Sequence, residues 1–110
     1  MRLYVCVIQE GQTADRKRSE LAEGLKKLGQ EAFADDPSRT SISWIVVKKG
    51  FAWTAGEPST SSIVVRSVPV GLPPDRREAF MHEVCDLWKN VTGCSVHEIV
   101  VTAWDGPLPL

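Results

Sequence analysis

The sequence has few cysteines, no long apolar run and no surplus of either charge, and each shortage removes a class of protein. Its only thiols are Cys6, Cys85 and Cys94. An odd count with no CxxC pair argues against a disulfide framework and a zinc site, and fits a reducing cytoplasm. No stretch approaches the roughly 20 apolar residues that a membrane span needs, and the start carries no signal-peptide pattern. The formal net charge is −1, so nothing draws the chain as a whole toward nucleic acid. The densest basic run, DRKR at 15–18, is diluted by Asp15, Glu20 and Glu23 and reads as a solvated helix face.

What is present is ordinary for one soluble domain. Apolar residues make up 43% of the 110 and charged residues 25%, enough for a single modest core over residues 1–110. LYVCVIQ (3–9) is β-branched and aromatic and is closed by Gly11, which marks a strand. Thr13 offers an N-cap, and Asp15 places negative charge in the first turn. Leu21, Leu25 and Leu28 recur at i, i+4 and i+7, which predicts a helix from 14 to about 33. The loop DDPSRTS ends it, and ISWIVVKK (42–49) is a second strand.

The second half repeats this order. SSIVVRSVPVG (61–71) is a strand, and LPPDRREAFMHEVCDLWKNVTG opens with prolines suited to a first helical turn. Phe80, Val84, Leu87, Trp88 and Val91 then share one helix face, and HEIVVTAW (97–104) is the last strand. DRKR (15–18) and DRRE (75–78) sit 60 residues apart, each at a helix start. We read two β-α-β units, about 1–50 and 61–106. The fold class that follows is α+β (α/β two-layer), a four-stranded mixed sheet with two helices on one face. The strands also carry apolar residues for the other face, among them Val5, Val7, Ile45, Val47 and Val65. Strands apolar on both sides imply burial on both, so a symmetric homo-oligomer is expected.

A duplicated β-α-β chain of this length resembles the tautomerase superfamily, and within it the cis-3-chloroacrylic acid dehalogenase group, whose chains are fused pairs of the unit. The resemblance rests on the N-terminal strand ending QEG, the helix after it, the segment KKGFAWTAGEPS (48–59) and the repeat of strand, helix, strand. KGFAWTAGE is similar to the Gly-rich hairpin segment of 4-oxalocrotonate tautomerases. The resemblance implies a tautomerase-like fold, a homotrimer and a pocket at each subunit's N-terminus for a small carbonyl or carboxylate compound. It also implies catalysis by an N-terminal proline, a secondary amine whose pKa an apolar pocket lowers. Arginines then grip the substrate carboxylate.

The chain departs from that set. Arg2, not proline, follows Met1, so the initiator Met is expected to stay and to take the proline's place. The dehalogenase arginines fall on Val70 and Pro73, their histidine on Leu28 and their tyrosine near Thr102. The arginine of the short tautomerases falls near Ser41. The expected function is therefore isomerase- or tautomerase-like proton transfer with altered chemistry. The Met1 α-amine is the candidate catalytic group, since a free α-amine titrates at about 7.7–8.0. Arg66, Thr102 and Trp104 are candidate substrate-binding residues, and Lys48 and Lys49 would attract a carboxylate. The alternative is a catalytically inactive relative, a trimer that binds a small molecule or a partner. Neither reading calls for a cofactor, a metal, nucleic acid or a membrane. A ferredoxin-like metal or RNA binder is not supported. His82 and His97 have no cysteine or carboxylate array at ligand spacing, and the paired sheet aromatics of RNA motifs are missing.

Overall fold

A computed structural model of the chain describes residues 2–109, with side chains from residue 3 onward. β1 (Arg2–Gln9) leads to a short helix α1 (Thr13–Arg16) and then to α2 (Arg18–Phe33). A single 3-10 turn, Pro37–Arg39, precedes β2 (Ser41–Val47). A small hairpin, β3 (Trp53–Thr54) and β4 (Glu57–Pro58), leads on to β5 (Ser62–Val68), α3 (Pro74–Thr92) and β6 (Ile99–Asp105). The main sheet runs β2-β1-β5-β6. Its outer pairs, β1 with β2 and β5 with β6, are parallel, and β1 meets β5 antiparallel at the centre. Parallel partners need a crossover, and the helices supply it. This is the mixed sheet with helices on one face that the repeat implies.

The core lies between sheet and helices. Tyr4, Cys6 and Ile8 alternate on β1, with Val64 and Ile99 alongside, and Leu21, Leu25, Phe80, Val84 and Trp88 close over them. The period of two on the strand and of 3.6 on the helices thus meet in one layer. Ile45, Ile63, Val100 and Trp104 remain 40–52% exposed. By the strand registers they lie on the far face of the sheet, because their neighbours Trp44, Val64, Val101 and Ala103 alternate with them toward the helices. The far face therefore presents exposed apolar side chains around a centre where Val5 and Ser67 are buried.

Three local expectations need correction. The first helix is two helices, because Lys17 adopts φ −112° and ψ 28° between α1 and α2. Thr13 is the first helical residue rather than the cap, and the Gln12 side chain makes no capping bond. Asp15 instead accepts the Gly11 N–H at 3.0 Å. β5 stops at Val68, short of residue 71, because Pro69 has no N–H with which to extend the ladder. The chain turns there, with the Leu72 N–H donating to the Pro69 carbonyl at 3.2 Å.

Candidate functional site

The antiparallel centre of the sheet brings the start of β1 beside the end of β5, with Tyr4 opposite Arg66. The β1–β2 register slips between Arg2 and Tyr4, so Leu3 is an extra residue on β1. Such a bulge re-aims the side chain it carries, and Leu3 packs against the core. A cavity of about 280 Å³ opens at this end of the sheet, walled by Leu3, Phe33, Asp35, Arg66, Pro69 and Val70. It adjoins a shallow groove of about 570 Å³ that shares Phe33, Pro69 and Val70 and reaches Gln30 and Arg76.

Arg66 is the one cation in the cavity wall among the described residues, and it is only 2% exposed. A guanidinium so deeply placed needs both a counter-charge and hydrogen bonds. Asp35 supplies both. Arg66 Nη1 donates to Asp35 Oδ2 at 2.5 Å, and Nη2 donates to Oδ1 at 2.9 Å, a bidentate pair. Nη1 also donates to the Tyr4 hydroxyl at 3.1 Å, and Nε to the Ser67 carbonyl at 2.5 Å. The rings of Phe33, Tyr4 and Phe80 lie 4.7, 4.9 and 5.8 Å from the guanidinium carbon, close enough for cation–π attraction. Burial alone pulls the Arg66 pKa down, but the bonds to Asp35 and Tyr4 outweigh it and the net shift is upward. Burial pushes the Tyr4 hydroxyl up to about 12, against the pull of Arg66. Burial likewise pushes the Cys6 thiol up to about 12.

The end of α2 delivers Asp35. Ala34 adopts a left-handed conformation at φ 55°, which costs a non-glycine residue about 1–2 kcal/mol. The Ala34 N–H donates to the Gln30 carbonyl at 3.0 Å, and the Asp35 N–H to the Gly29 carbonyl at 3.3 Å. This turn brings the chain back over the helix end and carries the Asp35 carboxylate to Arg66. Gly29 leaves the room for it: a Cβ there would lie 2.2 Å from Asp35 Oδ2 and 2.8 Å from Arg66 Nη1.

The expected site residues do not gather. Met1 lies outside the described residues. Arg66 is at the cavity, on the helix side of the sheet. Thr102 pairs with Val65 and Trp104 with Ser67, so both face the opposite side, Thr102 half-buried and Trp104 exposed. Lys48 and Lys49 are exposed past the end of β2, and Lys48 lies 5.9 Å over the Phe51 ring. Neither lines this cavity. Asp35, Gly29 and Phe33 were not expected at the site. The available signal was Arg66 itself: a lone charge among apolar neighbours in SIVVRSV (62–68) demands a carboxylate, and Asp35 and Asp36 stand at the end of the preceding helix.

A second cavity, of about 210 Å³, lies at the other end of the sheet. It is lined by hydroxyls of Thr13, Thr60, Ser62 and Thr92 together with Cys94 and Glu98. It offers no cation, and Glu98 is already held by the Ser95 N–H at 2.8 Å. Hydrogen bonds from Ser95 and Thr60 hold the Glu98 carboxyl below its ordinary range.

No protein-family profile matches the chain, and no curated protein sequence matches it. Solved structures do. The native Ps01740 crystal structure is 28% identical and superposes with a TM-score of 0.86, over 96% of this chain and 94% of its own. A fused 4-OT, solved as a wild-type symmetric trimer, is 15% identical with a TM-score of 0.81, over 96% of this chain and 85% of its own. N1, a member of the cis-3-chloroacrylic acid dehalogenase family, is 12% identical with a TM-score of 0.82, over 94% of this chain and 74% of its own. The resemblance drawn from the repeat and from KGFAWTAGE thus holds across the whole fold.

Proposed function

We propose, taking this tautomerase-superfamily fold as the premise, that the chain is a tautomerase- or isomerase-like protein. It moves a proton on a small carbonyl compound held in the cavity at the head of β1. The observation that carries the reading is the cavity at the head of β1, where Leu3 shares a wall with Phe33, Asp35 and Arg66. On this reading the general base is the Met1 α-amine, the position the resemblance gives to a catalytic proline. A primary amine is a competent base near neutral pH. Arg66 belongs to the buried wall. Thr102 and Trp104, on the far face, belong to contacts between subunits, because that face carries Ile45, Ile63 and Val100 exposed. A homotrimer like that of the fused 4-OT would cover them, and a monomeric mass in sedimentation velocity would refute the assembly.

The test is ketone–enol exchange of phenylpyruvate and of its methyl ester, followed by ultraviolet absorbance. Mass spectrometry of the intact chain first establishes which residue carries the free amine. The expected result is a rate above buffer for at least one compound, abolished when the α-amine is selectively acylated. No rate for either, or a rate indifferent to acylation, sinks the reading. One observation favours the alternative of an inactive binding protein. Val70 and Pro73 stand where the resemblance expects arginines, and Arg66 is already engaged by Asp35. Saturable ligand binding without exchange is its signature.

A further inference from the structure

Arg66 looks at first like the carboxylate anchor of the cavity, yet its guanidinium already holds an internal carboxylate in a bidentate pair. The Arg66 and Asp35 side chains are 3% and 9% exposed, and both Nη atoms are committed to Asp35 in the paired geometry an external carboxylate would take. The seat is built to hold it. Gly29 vacates the space for Oδ2, Ala34 takes a left-handed turn to deliver the residue, and Phe33 and Tyr4 flank the guanidinium. The remaining wall is mostly apolar, with Leu3, Phe33, Val68, Pro69 and Val70 beside Ser67. Within the cavity wall a carboxylate meets no free cation among the described residues, Arg76 standing in the adjoining groove, and it meets Asp35 with the same sign of charge.

We infer that Asp35 is the specificity-determining residue of the cavity: by filling Arg66 with a built-in carboxylate it reserves the site for uncharged carbonyl compounds. The inference rests on the reading that this cavity is the ligand site, but its test does not need turnover. A carboxylate ligand must either displace Asp35, exchanging a pair already in place for one that also costs the ligand its freedom, or bind beside it against like charge. An ester or simple ketone has neither penalty and gains from the apolar wall. Removing the Asp35 side chain reverses this, because an unpaired Arg66 accepts a small anion in the vacated seat.

The experiment measures binding by ligand-detected NMR and by thermal shift, using phenylpyruvate, its methyl ester, formate and chloride at matched ionic strength. Wild type is expected to bind the ester about tenfold or more tightly than the acid and to show no formate effect beyond that of chloride. Asp35→Ala is expected to gain saturable, formate-specific stabilisation and to bind the acid about tenfold or more tightly than wild type does. If D35A fails to fold in both salts, Asp35→Asn carries the test: the amide removes the charge but fills the seat, so acid-over-ester preference rises without a formate response. Equal binding of acid and ester by wild type overturns the inference, as does a folded variant with unchanged preference. Absence of exchange activity with the ester preference intact overturns the proton-transfer reading alone. Absence of binding by any carbonyl compound overturns both.

Discussion

Truncating Asp35 and truncating Arg66 should have unequal effects on stability, although both break the same ion pair. In Asp35→Ala the guanidinium stays on β5 at 2% exposure, with the Tyr4 hydroxyl and the Ser67 carbonyl as its remaining polar partners. It then meets water only through the vacated Asp35 seat and the cavity it lines. An unpaired charge buried in this way costs about 3–5 kcal/mol, a third or more of what holds a small domain together. In Arg66→Met the carboxylate left behind is at the end of α2 beside the exposed residues Ala34 and Asp36. It turns to solvent once the pair is gone, and the methionine fills most of the apolar volume that the arginine stem occupied. That variant should lose only about 1–2 kcal/mol, mainly packing against the three rings and the Tyr4 bond. The double variant should be more stable than D35A alone, because it removes the stranded charge. Urea unfolding with unchanged m-values measures all three, and the cycle isolates the coupling. Should D35A lose less than about 1 kcal/mol, or the double variant prove less stable than D35A, the pair is not buried as described.

Two further outcomes follow from the same core. Tyr4 and Cys6 are each held protonated, with pKa values raised to about 12. The unfolded chain releases these protons first, so their contribution is intact below about pH 9 and falls as pH rises from 9 toward 12. About three units at Cys6 and two at Tyr4 set upper bounds of about 4 and 3 kcal/mol. Cys6→Ala should flatten the loss, and an unchanged slope between pH 9 and 11 in urea titrations would show that the thiol does not report burial. Gly29→Ala should cost about 3 kcal/mol or more by wedging Asp35 from Arg66. Gly24→Ala meets only the end of the Leu87 side chain, at 2.4 Å. Both changes regain about 1 kcal/mol of helix propensity, but Leu87 can shift where the ion pair cannot, so the Gly24 variant's net cost should be clearly smaller, and the reverse order in the same assay would contradict the close approach at Gly29.

The legible and the illegible parts of this protein differ in the kind of information that specifies them. Strand and helix periods are local, so LYVCVIQ, ISWIVVKK and the Phe80, Val84, Trp88 stripe announced their elements, and the repeat announced a four-stranded mixed sheet with helices on one face. The far-face residues were legible too, because alternation puts Ile45 and Ile63 opposite the core whatever else happens. What failed locally was capping, where Thr13 competed with Gln12 and an Asp15 bond replaced both. The site was less legible because Asp35 and Arg66 are 31 residues apart, and neither lies in a motif. The strand pattern contained half of the information: an arginine inward on β5 between Val64 and Val68 could be tolerated only with a carboxylate delivered from elsewhere. A carboxylate two residues past a helix is an ordinary surface feature, and only the left-handed Ala34 and the missing side chain of Gly29 turn it inward. Those two positions tie the proposed exclusion of carboxylates to backbone geometry. A relative with a bulkier residue at the Gly29 position could not seat the internal carboxylate, and its buried arginine would be left for the substrate.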